Sequence, residues 1–374
     1  MTSDVLIIGG GVIGLSIARE LHRRGVNKIT VVDQGRCGQE ASWAAAGMLG
    51  PQAETDEFGP FFELCCRSRD LYPELASELL NETGIDIELD RSGTLSLAFD
   101  EETDLHLEHR YEVQKAAHLD VDRLTSQEVR DLEPTVSPRV TSGLLFPNDW
   151  QVENRKLIKA LAAYARVNQI EIVENTQIDE LICLGSRVIG AKGHDRAFHN
   201  DATVIATGAW TSLIKSEPRT MPFKVEPVRG QIVSFKYDAR PFRHVIYGLD
   251  GYVVPRHDGR VLAGSTTEHV GFDKRTTKAA TRDLSAVARE IIPSIGGVSV
   301  SEQWAGLRPF AGDGMPVIGK GGADGAFVAT GHYRNGILLA PISAKLVAQA
   351  IVEGVYDRML DEFGARRFLR AHAA

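Results

Sequence analysis

The 374-residue sequence predicts an α/β protein in which a discontinuous Rossmann-type unit for a dinucleotide carries an inserted α+β unit built on an antiparallel sheet. Three observations predict it. A short apolar run, Asp4-Val-Leu-Ile-Ile8, leads into Gly9-x-Gly11-x-x-Gly14 and then a helical stretch, which is a βαβ opening. Elements that pair a strand or helix with a glycine turn return near 202–208 and at Gly331. Between these returns, 224–266 reads as several strands with turn signals at Asp250-Gly251 and Asp258-Gly259.

Taken in order, Leu15 to Arg24 reads as a helix stopped by Gly25, and Ile29-Thr-Val-Val-Asp33 as a second strand ending in an acid. The small-residue stretch Ser42-Trp-Ala-Ala-Ala-Gly-Met-Leu-Gly50 follows, then helical patterning over 60–81. A strand at 93–99, helices at 101–118 and 153–167, and a strand at 170–173 come next. A buried strand ends at Ala206, with Thr207 and Gly208 at its mouth. A helix over 278–292, a strand-like stretch to Arg308 and a long helix ending near Glu353 complete the chain. The expected division is 1–85, 142–220 and 305–374 for the dinucleotide unit, with 86–141 and 221–304 for the substrate unit.

Composition bounds the function. A chain of this length makes two or three domains at roughly 100–200 residues each. Apolar residues at 43% and charged residues at 25% are those of a globular protein. Lys+Arg 42 against Asp+Glu 50 gives −8, which disfavours nucleic acid or an anionic membrane as partner. Four cysteines, Cys37, Cys65, Cys66 and Cys183, lack metal or disulfide spacing and read as free thiols. No basic segment precedes the first apolar stretch, so a cytoplasmic location is expected. There is no zinc spacing and no nucleophile triad signature, and the histidines other than His332 read as surface residues.

The first glycines carry a mechanism. Gly9 permits the tight turn, Gly11 lets backbone approach a pyrophosphate, and Gly14 lets helix pack on strand. The helix N-terminus offers amides to the phosphates, and Asp33 is placed to accept from a ribose. The spread of the unit over three segments calls for a longer ligand than NAD and favours a flavin dinucleotide. Arg308, in Trp304-Ala-Gly-Leu-Arg-Pro309, and Arg334, in Gly331-His-Tyr-Arg-Asn-Gly-Ile337, read either as carboxylate clamps or as paired surface arginines. Tyr252, in Tyr252-Val-Val-Pro-Arg256, reads as a core aromatic on its chemistry alone.

Those motifs, with Pro227-Val-Arg-Gly-Gln231 and the continuation Leu338-Leu-Ala-Pro341, resemble the D-amino-acid oxidase superfamily of flavoproteins from about residue 3 to 355. The resemblance implies non-covalent FAD, since the covalent relatives attach it through a cysteine that this chain lacks beyond 183. It implies that Val12 and Ile13 meet FAD at the first turn, with Asp33 and Gln34 at the adenosine and Ile178 on the adenine side. Ala41, Ser42, Ala46, Gly47 and Met48 are implied along the path to the flavin. His332, Tyr333, Arg334, Asn335, Gly336, Ile337 and Leu338 are implied around the isoalloxazine.

By the same resemblance Arg308 clamps the substrate carboxylate, Tyr252 hydrogen-bonds it, Arg334 is a second substrate-side arginine and Gly50 borders the pocket. The implied reaction is oxidation of glycine and other small amines or D-amino acids by hydride transfer to flavin N5. O2 goes to H2O2, and the imine hydrolyses to glyoxylate or a 2-oxo acid and ammonia, with thiamine thiazole synthesis as one outlet. The alternative is the same chemistry on bulkier D-amino acids, or a dehydrogenase with a quinone acceptor. A homotetramer is implied. Relatives carry methionine at the place of Thr267 and histidine at that of Asp250, so pocket room or polarity differs here.

Overall fold

In the computed structural model, which describes residues 2–55, 57–216, 220–355 and 357–371, the opening run forms β1 (Thr2–Ile8). The expected helix and second strand follow as α1 (Val12–Arg23) and β2 (Ile29–Val32). Val5, Leu6, Ile7 and Ile8 are all buried, so β1 needs cover on both faces and takes a central place. It pairs in parallel with β2 on one side and with Ala197–Ile205 on the other. Among the described residues this first sheet has eight strands. Its main path runs Val317–Lys320, Ala326–Thr330, Ala197–Ile205, β1, β2, Glu171–Val173, and Arg187–Lys192 with Glu180–Leu184 branches off Ala197–Ile205. The apolar side chains of α1 and of the helices Asn154–Val167 and Gly336–Val352 share one core with Val5, Ile7 and Val31 of the sheet.

The second eight-stranded sheet runs Val300–Ala311, Val225–Lys236, Arg260–Gly264, Gly251–Pro255, Val245–Gly248, Thr94–Ala98, Ser142–Phe146, Asp122–Thr125. It is mostly antiparallel, with one parallel pair between Val245–Gly248 and Thr94–Ala98. The divisions expected at 142 and 305 do not follow the sheets. Ser142–Phe146 pairs with Thr94–Ala98, and Val300–Ala311 pairs with Val225–Lys236 from Val225 opposite Ala311 to Phe235 opposite Val300. Both strands stay with the second sheet because their backbones pair there along their length, with one register shift between Ser234 and Phe235.

Two further expectations are corrected. The helical patterning over 60–81 forms two helices, Pro60–Arg69 and Tyr72–Thr83, with Pro73 in the first turn of the second, where a missing N–H costs no bond. His244 is buried rather than exposed, its Nδ1 lying 2.5 Å from Glu133 Oε1.

Pro341 lies inside the helix Gly336–Val352 and has no N–H for the Ile337 carbonyl four residues back. The buried Tyr72 hydroxyl donates to that carbonyl, and Ser68 Oγ donates to the Leu338 carbonyl at 2.6 Å. Two neighbouring helices thereby replace what the proline removes. No described helix is long and apolar enough to cross a membrane.

Candidate active site

One cavity of about 630 Å³ runs from the end of β2 to the second sheet. At its start, Gly9 has φ +106°, and a Cβ there would meet the Ala206 carbonyl. Gly9, Gly11, Val12 and Ile13 line the cavity. Gly14 does not: it faces the Gly9 carbonyl so that α1 packs on β1, the packing role read for it from the motif. The α1 N-cap, Gly11, brings no side chain, and the Val12 amide donates to Ser42 Oγ at 3.0 Å.

Asp33 and Gln34 line the next stretch, opposite Ile178. The Asp33 carboxylate accepts from the Gly10 and Gly35 amides at 2.7 and 2.8 Å, bracing the glycine turn. Burial raises its pKa against these two bonds.

The small-residue stretch forms the middle wall, where Ala41, Ser42, Ala46, Gly47 and Met48 all line the cavity. Its carbonyls are held from behind. Asn154 Nδ2 donates to the Ser42 and Trp43 carbonyls at 2.8 and 3.0 Å, and Trp304 Nε1 to that of Ala44 at 3.0 Å. Arg256, almost fully buried, donates to the Ala46 and Val152 carbonyls at 2.6 and 2.7 Å. Sequence reasoning quoted Arg256 and gave it no role; an arginine closing an apolar strand was the available signal. Thr207 and Gly208 complete this wall.

At the far end the glycine turn supplies His332, Tyr333, Arg334, Asn335, Gly336 and Ile337. Leu338 points into the core instead, because the helix has begun and its next face is the apolar one. The helix N-cap, Asn335, makes no side-chain cap, so the helix N-terminus is open toward the cavity. Burial pushes the His332 imidazole down to about 3, and its Nε2 lies 2.9 Å from Ser343 Oγ. The Tyr333 amide donates to the Pro309 carbonyl at 2.9 Å, which ties this turn to the strand carrying Arg308.

Arg308 Nη1 donates to the Thr266 carbonyl at 2.9 Å and Nη2 to Ser265 Oγ at 2.6 Å, leaving three N–H donors. A Cβ on Gly230, in the neighbouring strand, would overlap this guanidinium. Burial lowers the Arg308 pKa, and Arg334 nearby adds to that. Burial raises the Tyr252 hydroxyl, with Arg308 pulling the other way, so it is a neutral donor at working pH. Arg334 Nη2 donates to Thr267 Oγ1 at 3.0 Å. Asp250 lies in the turn before Gly251–Pro255 and is not part of the cavity lining.

Glu54 and Tyr247 are among the lining residues that sequence reasoning missed at this end. Glu54 projects into the cavity from the one-turn helix Pro51–Glu54, and Tyr247 donates to its Oε1 at 2.7 Å. The Glu54 side chain is open to the cavity, but that cavity is deep in the protein, so desolvation raises its pKa while Arg334 and Arg308 oppose the rise. Gly50 does not reach the cavity; it starts this helix, facing Asp149.

The donor set fits a dinucleotide with a ring at its far end. An acid sits at one end, backbone amides and small residues occupy the middle, and an open helix N-terminus closes the other. The family model described as FAD dependent oxidoreductase matches residues 4–350. The chain belongs to this family of FAD-dependent oxidoreductases. The family member described as glycine oxidase from Pseudomonas aeruginosa is 34% identical over 93% of this chain and 94% of its own. The bifunctional protein ThiO/ThiG of Synechocystis is 34% identical over 98% of this chain, which spans about half (54%) of that relative's length. Among solved structures of the family, glycine oxidase from Geobacillus kaustophilus superposes with a TM-score of 0.91 at 33% identity, covering 98% and 99% of the two chains. FAD is the cofactor of this enzyme family, and the cavity residues above would hold it.

Proposed function

We propose that this enzyme oxidises glycine and other small amino acids, sarcosine and D-alanine among them, with O2 as electron acceptor. The products are glyoxylate (or a 2-oxo acid), ammonia (methylamine from sarcosine) and H2O2. For glycine, the amino acid, O2 and water give glyoxylate, ammonia and peroxide. The observation that carries this reading is Arg308, held over Gly230 at the ring end of the cavity with three donors free and the neutral Tyr252 hydroxyl beside it. That pair binds one carboxylate and fixes where the adjacent carbon lies.

Bound FAD supplies a two-electron acceptor. Glu54 and Tyr247 face the same space, where the substrate amine would lie, and Glu54 accepts its N–H bonds. Burial raises its pKa above the ordinary carboxylate value, the direction that suits a group taking part in proton exchange. Burial keeps His332 neutral, so it would add no cationic charge beside a bound flavin, whose ring the turn from Tyr333 to Ile337 would line. Gly9, Gly11, Val12, Ile13, Asp33, Gln34, Ile178 and the 41–48 wall would hold the nucleotide. We further propose a cytoplasmic homotetramer whose product feeds thiamine thiazole synthesis.

Arg334 favours a second reading for part of the substrate range. A second cation tethered at the cavity mouth suits an amine that carries another anionic group. The test is anaerobic addition of glycine, then sarcosine and D-alanine, to the holoenzyme, with peroxide assayed under air. Bleaching of the flavin band with one peroxide per glyoxylate is expected. A band untouched by all three overturns the proposal.

A further inference from the structure

The helix Pro51–Glu54, which brings Glu54 to the cavity, is a single turn, and one turn does not hold itself together in water. Its N-cap is Gly50, which has no side chain to close it. Asp149, in the loop before Trp150–Gln151, does so from elsewhere in the chain. Its Oδ1 accepts from the Gln52 amide at 3.2 Å and its Oδ2 from the Ala53 amide at 2.6 Å. The opposite end of the turn is tied by Arg110, donating to the Gln52 and Ala53 carbonyls at 2.8 and 2.7 Å, and by Gln114 Nε2 on the Gln52 carbonyl at 3.1 Å.

The two ties differ in kind. Asp149 is fully buried, and a buried carboxylate is destabilising unless something specific is gained. What it gains here is two acceptor atoms set against two adjacent N–H donors, which no neutral side chain of its size offers.

We propose that Asp149 is a positioning residue that fixes Glu54 at the amine end of the substrate by holding the amides of Gln52 and Ala53. This rests on the proposed amino acid oxidation for the word substrate, but not for the loop. Desolvation pushes the Asp149 carboxyl up to about 7; the two amides and Arg69 oppose the rise, and Glu54 adds to it. The other groups facing it are the Cys65 and Cys66 thiols on the Pro60–Arg69 helix and the Tyr247 hydroxyl, all raised by burial and neutral near pH 7. Protonating Asp149 turns one of its two acceptors into a hydroxyl, so the grip on the turn loosens as pH falls below neutrality.

The test compares the parent holoenzyme with Asp149→Asn, which has the same size but one acceptor. Amide hydrogen exchange over 50–55 is measured beside glycine kinetics from pH 6 to 8.5. In the variant, exchange at Gln52 to Glu54 rises about tenfold and KM for glycine rises about tenfold, each the worth of one lost hydrogen bond. Its kcat stays within about threefold, and the loss of affinity that the parent shows on acidification is absent. An unchanged flavin spectrum and melting temperature at pH 8 confirm that the variant folds. Asp149→Glu, if the first fails to fold, reports the same exchange.

Unchanged exchange, or faster exchange with an unchanged KM, overturns the proposal. If the parent does not oxidise glycine, the functional reading fails separately, and acetate titrated against the flavin band replaces KM. Weaker acetate binding in the variant then supports the positioning role, and equal binding overturns it.

Discussion

Gly230→Ala separates substrate binding from folding and from cofactor binding. Gly230 stands opposite Gly306 in the paired strands Val225–Lys236 and Val300–Ala311, directly beneath the Arg308 guanidinium. A methyl group there would overlap Cζ, Nη1 and Nη2 of Arg308. These atoms are the far end of a flexible side chain, so the guanidinium turns aside and the strands stay paired. The folding cost belongs at the low end of the range for overpacking, about 1–3 kcal/mol.

Binding suffers more. A displaced Arg308 leaves the Thr266 carbonyl and Ser265 Oγ and no longer presents two charge-assisted bonds to a carboxylate, each worth about 1.5–3 kcal/mol. Together these come to about 3–6 kcal/mol, or roughly 10²–10⁴ in kcat/KM. Flavin absorbance counts bound FAD and a coupled peroxide assay follows turnover. FAD content equal to the parent's, with glycine no longer saturating, is expected. A variant with normal FAD content and KM within about threefold of the parent's refutes the argument that Gly230 exists to seat Arg308.

Three other outcomes follow from the same geometry. Tyr72→Phe leaves the buried Ile337 carbonyl without its donor at the proline break, so urea unfolding should show a loss of about 1–3 kcal/mol, and an unchanged midpoint would deny that role. Thr267→Met removes the acceptor for Arg334, so binding of N-carboxymethylglycine should weaken about fivefold while KM for glycine stays within twofold, as competition kinetics would show. The third concerns pH and two opposed groups. Asp149, raised from 3.8 to about 7, contributes stability below pH 3.8 that is lost as pH rises through 7, worth about 4 kcal/mol. His332, lowered from 6.5 to about 3, contributes stability above pH 6.5 that is lost as pH falls toward 3, of similar size. Between pH 4 and 6.5 they cancel in the parent, whereas Asp149→Asn should lose stability steeply on acidification in chemical denaturation; a parallel profile would show that Asp149 is not the opposing group.

Much of the nucleotide end was legible because its determinants are local. Gly9, Gly11 and Gly14 lie within one turn of each other, and Asp33 ends the very next strand, so spacing alone gives their arrangement. The Gly331 turn was legible for the same reason, as far as Ile337. Leu338 was placed one residue too far because the motif runs on in sequence after the chain has become a helix and turned its apolar face to the core. The sheet membership of the strands near 142 and 305 was not legible for another reason. A strand's partner is chosen by pairing across the sheet, and neither Ser142–Phe146 nor Val300–Ala311 carries a local mark of which sheet it joins.

The amine end was illegible in a more instructive way. Glu54 follows Gln52 and Ala53 in a stretch with no motif, and its importance depends on three contacts with distant chain: Tyr247 on its carboxylate, Asp149 on the Gln52 and Ala53 amides and Arg110 on the carbonyls of those two residues. None of the four residues is unusual alone. A buried acid such as Asp149 lowers stability, so it persists only where its partners need a charge, and that need is visible only after folding. Residues that touch a ligand through a rigid local motif announce themselves in sequence. Those that set the position of a short turn are recognised by a buried carboxylate with one backbone donor aimed at each oxygen, and Asp149 meets that description.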